Sequence, residues 1–190
     1  MLEAEHPEQV IRITKEVDPV FGVSGILERL EADGRLSVVI FENVKGSKIP
    51  LVANMHADFT RLRLALGMEE TGEAEFLAES AARQANPIAP ETVADAPVQQ
   101  VVTTGDEVDV LELPVCTYHE LDAGPFITAG LALMQDPDTG IHNVGIYRHM
   151  VHEGNLLGAQ FSETSDGNII WKKYEQKGEP CPVAIIIIFL

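Results

Sequence analysis

Two polar residues in the second half of the chain have side chains that can together serve a metal ion and an anionic group. Asn143 and Arg148 lie in the segment IHNVGIYR. An amide oxygen suits a hard cation, and the always-charged fork of an arginine suits a carboxylate. The residues alone leave a plainer reading open, in which Arg148 pairs with a glutamate on a neighbouring strand.

A predicted β-hairpin carries Asn143 and Arg148. Phe126–Met134 is an apolar run, the turn DPDTG follows, and Ile141–Val151 is predicted as the second strand. Two such runs around a turn of this type indicate an antiparallel hairpin. Because strand side chains alternate between faces, the pattern predicts two sets of residues, Asn143, Gly145 and Tyr147 on one face and His142, Val144, Ile146 and Arg148 on the other.

These segments, DAGPFITAG followed by DPDTGIHNVGIYR, resemble the UbiD family of non-oxidative decarboxylases. The resemblance covers nearly the whole chain and is sharpest from Pro114 to Val183. It implies a reversible decarboxylase of aromatic or α,β-unsaturated carboxylic acids that uses prenylated FMN, whose phosphate is held through Mn²⁺ and K⁺. It also implies a flavin prenyltransferase as the supplier of that cofactor.

The resemblance assigns roles to residues of this chain. Asn143 would ligate the divalent metal, and Arg148 would lie beside the flavin and the substrate carboxylate as the catalytic residue. Gly145, Ile146 and Tyr147 would run along the flavin, although Gly145 is equally interpretable as an ordinary strand glycine. Ser165 would help to hold the phosphate at a helix N-terminus, where free N–H groups favour anions.

Asp166 departs from the family pattern, because relatives carry a metal-binding histidine at the corresponding position. An aspartate remains a competent ligand for Mn²⁺, so a metal site formed by Asn143 and Asp166 is retained with a changed charge. An aspartate at a helix start is also a favourable cap. The sequence leaves both roles open.

The composition restricts the classes of partner. The chain has 190 residues, a net charge of -17 and 45% apolar residues, which argues against nucleic acid or an anionic membrane as partner. Two cysteines, Cys116 and Cys181, are too few for a disulfide framework and favour a reducing, cytoplasmic location. The acidic N-terminus lacks the features of a signal peptide, and no apolar run approaches the length of a membrane span.

The fold class predicted is α/β. Residues 1–97 would form a small α/β unit with a mixed sheet in the order β-α-β-β-α-α, ending in the proline-rich connector 86–97. Residues 98–190 would form part of a split β-barrel, flavin-reductase-like domain. Within this scheme Ser24 would cap the first long helix, and the second half would contain further elements: strands over Gln99–Val102, Gly158–Ser162 and Pro182–Leu190, and a helix over Asn168–Lys177.

The resemblance also predicts what the chain lacks. It covers the N-terminal part of a typical family member, without the glutamates that complete the metal site and the proton-transfer network or the domain used for dimerisation. We therefore expect a truncated portion that is inactive alone and tends to form homo-oligomers, since an open strand edge favours association. The alternative is a non-catalytic flavin-phosphate or subunit-binding module that acts with a partner chain.

Overall fold

A computed structural model describes residues 2–69 and 71–187. The chain folds as two compact units, each assembled from separate segments. One unit comprises residues 2–12, 29–40 and 52–108, and the other comprises residues 13–28, 41–51 and 109–187. Both units mix helices and strands, so the predicted α/β class is confirmed. The predicted boundary at residue 97 and the split barrel stay predictions.

The N-terminal half forms the predicted β-α-β-β-α-α order. Strands β1 (Val10–Ile13), β2 (Val38–Phe41) and β3 (Leu51–Ala53) make one sheet in that order. The branched residues of β2 are buried on both faces, as expected of a central strand. The short helix α1 (Leu2–Glu5) precedes β1, and the other helices follow in the predicted order: α2 (Gly22–Ala32), α3 (Phe59–Ala65) and α4 (Glu73–Ala85).

The C-terminal half contains two further sheets and one long helix. Strands β4 (Phe126–Ile127), β7 (His149–Glu153) and β8 (Leu156–Ala159) form one sheet in the order β4-β7-β8. Strands β5 (Leu131–Gln135), β6 (His142–Ile146) and β9 (Val183–Ile186) form another in the order β6-β5-β9. Helix α5 (Asp166–Lys177) ends at Gly178, whose φ of 68° is left-handed, as glycine permits at this position.

The predicted hairpin is confirmed at its centre and wrong at its ends. Strands β5 and β6 pair antiparallel from Leu131↔Ile146 to Gln135↔His142. The two long predicted strands, however, are each divided in two, because the chain passes from one sheet to the other at residues 128–130 and again at Tyr147 and Arg148. The alternation of faces therefore holds only within β6.

Several other predicted boundaries are corrected by the structure. The third strand lies at Leu156–Ala159 rather than Gly158–Ser162, since its partner β7 pairs with those residues. No strand forms over Gln99–Val102, where a 3₁₀ turn, Pro97–Gln99, is followed by irregular chain and Val101 is 85% exposed. The predicted strand Pro182–Leu190 is observed as β9, and its last three residues lie outside the described part.

Ser24 does not cap α2, which is a further correction. It lies inside the helix and its hydroxyl donates to the carbonyl oxygens of Phe21 and Tyr118, with Oγ···O distances of 3.1 and 2.6 Å. The helix starts at Gly22, directly after Phe21, whose φ is +63°. Across residues 2–69 and 71–187, none of the helices combines the length and apolar character that a membrane crossing requires.

Candidate functional site

Strand β6 and the first turn of α5 bring Asn143 and Asp166 together. Asn143 pairs with Met134 in the hairpin register, and Asp166 is the first residue of α5. The Asn143 side-chain amide donates to the Asp166 carboxylate, with Nδ2 3.3 Å from Oδ2. The two predicted metal ligands, which are distant in sequence, are thus neighbours in the fold.

The other polar atom of the Asn143 side chain has no partner among the described residues. Its Oδ1 is buried and accepts no hydrogen bond within residues 2–69 and 71–187. Buried polar atoms are almost always hydrogen-bonded, so an atom without a protein partner is open to a water, an ion or a ligand. A cation held by this oxygen and the neighbouring carboxylate would satisfy it.

The ring of Tyr147 packs between β6 and α5. It contacts Phe161 edge-to-face, with ring centroids 4.7 Å apart, and its hydroxyl oxygen accepts a hydrogen bond from the Gly167 backbone N–H at 3.2 Å. A Cβ at Gly145 would lie 2.6 Å from the Tyr147 ring, and a Cβ at Gly167 would lie 2.6 Å from its hydroxyl oxygen. Glycine at both positions therefore lets the tyrosine join strand to helix.

The first turn of α5 uses most of its free N–H groups internally. Ser165 is the N-cap: its Oγ accepts from the Asn168 N–H at 3.3 Å and donates to the Ser162 carbonyl oxygen at 2.9 Å. The Gly167 N–H is taken by Tyr147. The observed N-cap is therefore Ser165 and not Asp166. The phosphate-binding role of Ser165 stays a prediction, and a phosphate there would compete with these bonds.

Arg148 and Ile146 lie on the surface. Ile146 is 68% exposed, on the face of β6 opposite Asn143. Arg148, in the break between β6 and β7, is exposed and makes no hydrogen bond or ion pair with a described residue. The structure therefore joins Asn143 to Asp166 and Tyr147 to both glycines, but among the described residues no hydrogen bond or ion pair links Arg148 to this group.

His149 directly follows Arg148 and is buried. It is 1% exposed, and its Nδ1 has no hydrogen-bond partner among the described residues. Burial lowers the pKa of its imidazole, since desolvation disfavours the charged form. No feature of the sequence marks His149 for burial.

The described part of the chain contains no complete metal site. Among residues 2–69 and 71–187, no group of three or more histidine, cysteine, aspartate or glutamate side chains is arranged to hold a metal ion. Asn143 and Asp166 offer two hard oxygen donors, which fit Mn²⁺ and other hard cations. The remaining coordination positions would be filled by water, a phosphate or other protein groups.

Two features of this region were missed by sequence reasoning. Gly167 was not singled out, although the glycine in SDGN was a signal for close approach at a helix start. Lys173 and Lys177 form ion pairs with Asp136 and Asp138 of the hairpin turn. The sequence shows both the two lysines, spaced by one helical turn, and the DPD turn. It does not show that they lie in contact.

The chain matches two family models. Residues 2–81 match the N-terminal domain of 3-octaprenyl-4-hydroxybenzoate carboxy-lyase, and residues 91–187 match the Rift-related domain of the same enzyme. Both models describe the UbiD family. An uncharacterised protein of Synechocystis sp. is 30% identical over 94% of this chain and 40% of its own length.

Solved structures of UbiD-class enzymes share the fold. HmfF from Pelotomaculum thermopropionicum, in complex with FMN, superimposes with a TM-score of 0.86 and 32% identity over 98% of this chain and 40% of its own. Vanillic acid decarboxylase from Sedimentibacter hydroxybenzoicus gives a TM-score of 0.88 and 28% identity over 98% of this chain and 41% of its own. An evolved dimeric form of HmfF was solved with prFMN.

The chain spans about two fifths of the length of these relatives. Its two matched regions nevertheless follow one another in the family order, and the second covers the hairpin and α5. The resemblance inferred from the hairpin motif is confirmed: this chain belongs to the UbiD family of decarboxylases.

Proposed function

We propose that this chain forms the metal- and flavin-binding portion of a prenylated-FMN-dependent decarboxylase that acts reversibly on aromatic or α,β-unsaturated carboxylic acids. The observation that supports it most directly is the pairing of Asn143 with Asp166 beside a buried amide oxygen that lacks a partner. Structural relatives bind FMN or prFMN, which supports the flavin. When bound, prenylated FMN supplies the electron sink for breaking the bond to the carboxylate.

In this proposal Asn143 and Asp166 bind Mn²⁺ through their side-chain oxygens. The alternative for Asp166, a helix cap alone, has less support, because Ser165 already fills the N-cap position. Asp166 is thus free to present its carboxylate to Asn143 rather than to the helix backbone. The cation would neutralise the carboxylate and supply positive charge for binding the flavin phosphate, with K⁺ as a second counter-ion. Neighbouring Gly145 and Ile146, with Tyr147, would border the flavin.

Arg148 would bind the carboxylate of the substrate. Its guanidinium is exposed and has no acidic partner among the described residues, so the plainer reading of a surface ion pair has no support there. A guanidinium offers two parallel N–H donors to a carboxylate. Binding the carboxylate in this way would orient the bond that breaks and would keep the negative charge of the carboxylate close to the guanidinium of Arg148.

The substrate class follows from the relatives as a proposal. One structural relative is a vanillic acid decarboxylase, and another, from Klebsiella pneumoniae, is a 3,4-dihydroxybenzoic acid decarboxylase. Both names describe hydroxylated aromatic acids, and aromatic acids of this kind are the first candidates here. The non-catalytic module considered from sequence has no support from these relatives.

Activity would belong to the whole protein rather than to the 190-residue chain alone. The relatives are more than twice as long, and proton transfer in a decarboxylation needs a positioned acid or base. We therefore expect the isolated chain to bind metal and flavin weakly and to be inactive, with further protein groups needed for turnover. A flavin prenyltransferase would supply the cofactor, and assembly into homo-oligomers is expected.

The test is to produce the protein with a flavin prenyltransferase, both as residues 1–190 and from its complete reading frame. Visible absorbance, manganese content and CO₂ release from hydroxybenzoic and cinnamic acids are then measured. We expect flavin and manganese to copurify with the complete form, and Asp166→Asn to lower the manganese content. The surface substitution Asp33→Asn, which breaks an exposed ion pair with Arg29, is the matched control.

Three results would each count against part of the proposal. A colourless and metal-free preparation of the complete form would remove the cofactor assignment. CO₂ release by residues 1–190 alone would show that catalytic groups lie within this chain and would overturn the expected inactivity. A retained manganese content in Asp166→Asn would remove Asp166 from the site and leave the family assignment untouched.

A further inference from the structure

Four charged side chains connect α5 to the hairpin turn at the end remote from Asp166. Lys173 Nζ lies 2.6 Å from Asp136 Oδ2 and 3.3 Å from Asp138 Oδ2, and Lys177 Nζ lies 2.9 Å from Asp138 Oδ1. We call this group the lysine–aspartate cluster. It is a connected network and not a set of separate surface pairs, because Asp138 is shared by both lysines.

The cluster is built into the turn as well as into the helix. Asp136 accepts hydrogen bonds through Oδ1 from the backbone N–H groups of Asp138 and Thr139, at 2.9 and 3.4 Å, while its Oδ2 takes Lys173. The side chains of Asp136 and Lys173 are 18% and 29% exposed, so water screens their attraction less than that of a fully exposed pair. One carboxylate thus fixes the turn and the helix together.

The cluster and the candidate metal site lie on the same two elements. The hairpin turn starts one residue after Gln135 ends β5, and Asn143 is the second residue of β6. On the helix, Asp166 and Lys173 are about 10 Å apart along the axis at 1.5 Å per residue. The helix is thus attached to the hairpin at both ends, by the contacts near Asp166 and by the lysine–aspartate cluster. Together these attachments determine how α5 lies against the hairpin and where Asp166 lies relative to Asn143.

We propose that the lysine–aspartate cluster positions α5 so that Asp166 and Asn143 present their oxygens to one cation, with Asp136 and Lys173 as positioning residues for the metal site. This inference rests on the proposed metal-binding function. Metal–oxygen distances tolerate errors of only a few tenths of an ångström, and supporting groups decide whether ligands meet that tolerance. Loss of the cluster therefore weakens cation binding without removing a ligand.

The fold itself does not depend on the cluster alone. Tyr174 Oη donates to the Gln135 carbonyl oxygen at 3.2 Å, and Tyr147 joins β6 to Gly167. We expect these contacts to keep α5 on the hairpin when the ion pairs are removed. The variants should therefore remain folded, and their effect on metal affinity can be measured separately from their effect on stability.

The test uses three variants and a site-resolved measurement. Asp136→Asn keeps an acceptor for the turn and removes the charge, Lys173→Met removes the cation, and the double variant removes both. Mn²⁺ is titrated into ¹⁵N-labelled protein, and the paramagnetic broadening of the Asn143 and Gly167 amide signals gives a local affinity. We expect each single variant to bind Mn²⁺ about tenfold more weakly, and the double variant to be no weaker than either single one.

Two controls separate the ion pair from general effects. Lys173→Arg retains the charge and can still reach a carboxylate, so it should keep the affinity within about threefold of the original protein. Lys45→Met removes a 2.7 Å ion pair to Asp18 on the same compact unit and should leave the Mn²⁺ affinity unchanged. Thermal unfolding of every variant confirms that the comparison is made on folded protein.

The outcomes distinguish this inference from the proposed function. The metal site itself is wrong if Mn²⁺ causes no local broadening in the unsubstituted protein, or if the broadening persists in Asp166→Asn. If the local broadening is present and Lys173→Met only lowers the unfolding temperature, the cluster is merely structural and the inference is overturned. Additive losses in the double variant, or a Lys173→Arg variant as weak as Lys173→Met, would overturn it as well.

Discussion

Asn143 and Asp166, one on a strand and the other at the start of a helix, are joined by a hydrogen bond of 3.3 Å between Nδ2 and Oδ2. An amide and a carboxylate that meet in this way leave one amide oxygen buried and unpaired among the described residues. Under the proposed function, a cation would fill this gap. The two side chains would offer it oxygen donors alone, which favours hard metal ions.

Replacing Asp166 by histidine should change metal selectivity. Imidazole favours Ni²⁺, Cu²⁺ and Zn²⁺ over Mn²⁺, and loss of the negative charge weakens binding of every hard cation. We expect Asp166→His to raise the ratio of Ni²⁺ to Mn²⁺ affinity by about tenfold or more. Competitive titration of Ni²⁺ against Mn²⁺ measures the ratio directly. An unchanged ratio would mean that residue 166 does not touch the metal.

The sequence predicted the elements of this region better than their boundaries. The apolar runs and the DPDTG turn specify a hairpin by local chemistry alone, and β5 and β6 pair as expected. The division of each long run into two strands depends on which other strand is nearby: β4 pairs with β7, whereas β5 pairs with β9. Such pairings join residues far apart in the chain, so periodicity cannot reveal them.

The site shows the same limit. The family pattern selected Asn143 and Asp166, and the fold brings them together, but no property of either segment predicts a distance between them. The strand alternation that was extended to Arg148 failed because β6 ends at Ile146. Burial of His149 was equally hidden, since a polar residue in an apolar run looks exposed until the neighbouring strands are known.

Adding a methyl group at Gly145 should destabilise the protein through Tyr147. The new Cβ would lie 2.6 Å from the Tyr147 ring, and overpacking of this kind costs about 1–3 kcal/mol. Urea unfolding should show that loss in Gly145→Ala, and the loss should shrink when Tyr147→Ala is combined with it. Gly25→Ala is the matched control, because a Cβ at Gly25 in α2 meets nothing within 4 Å and should stabilise by about 0.5–1 kcal/mol.

The two cysteines should differ in reactivity. Cys116 is 2% exposed, and burial raises the pKa of its thiol to about 11, so only about one molecule in a thousand is thiolate at about pH 8. Cys181 is partly exposed. We expect a disulfide reagent to modify one thiol of the native protein much faster than the other, and Cys181→Ser to remove the fast phase. A fast phase that persists in Cys181→Ser would contradict the burial of Cys116.

Protonation of His149 should destabilise the fold below neutral pH. Burial lowers the pKa of this imidazole in the folded chain below its ordinary value of 6.5, so between those two pKa values the unfolded chain binds more protons. The free energy of unfolding is therefore fully retained above pH 6.5 and falls as the pH decreases through that window, with a slope of at most about 1.4 kcal/mol per pH unit. Lysine partners lower the pKa values of Asp136 and Asp138 below their ordinary value of 3.8. These carboxylates therefore affect the stability only at a lower pH than His149 does. Urea unfolding at a series of pH values should show the loss in the original protein and not in His149→Gln, whereas an equal slope in both would assign the effect to another group.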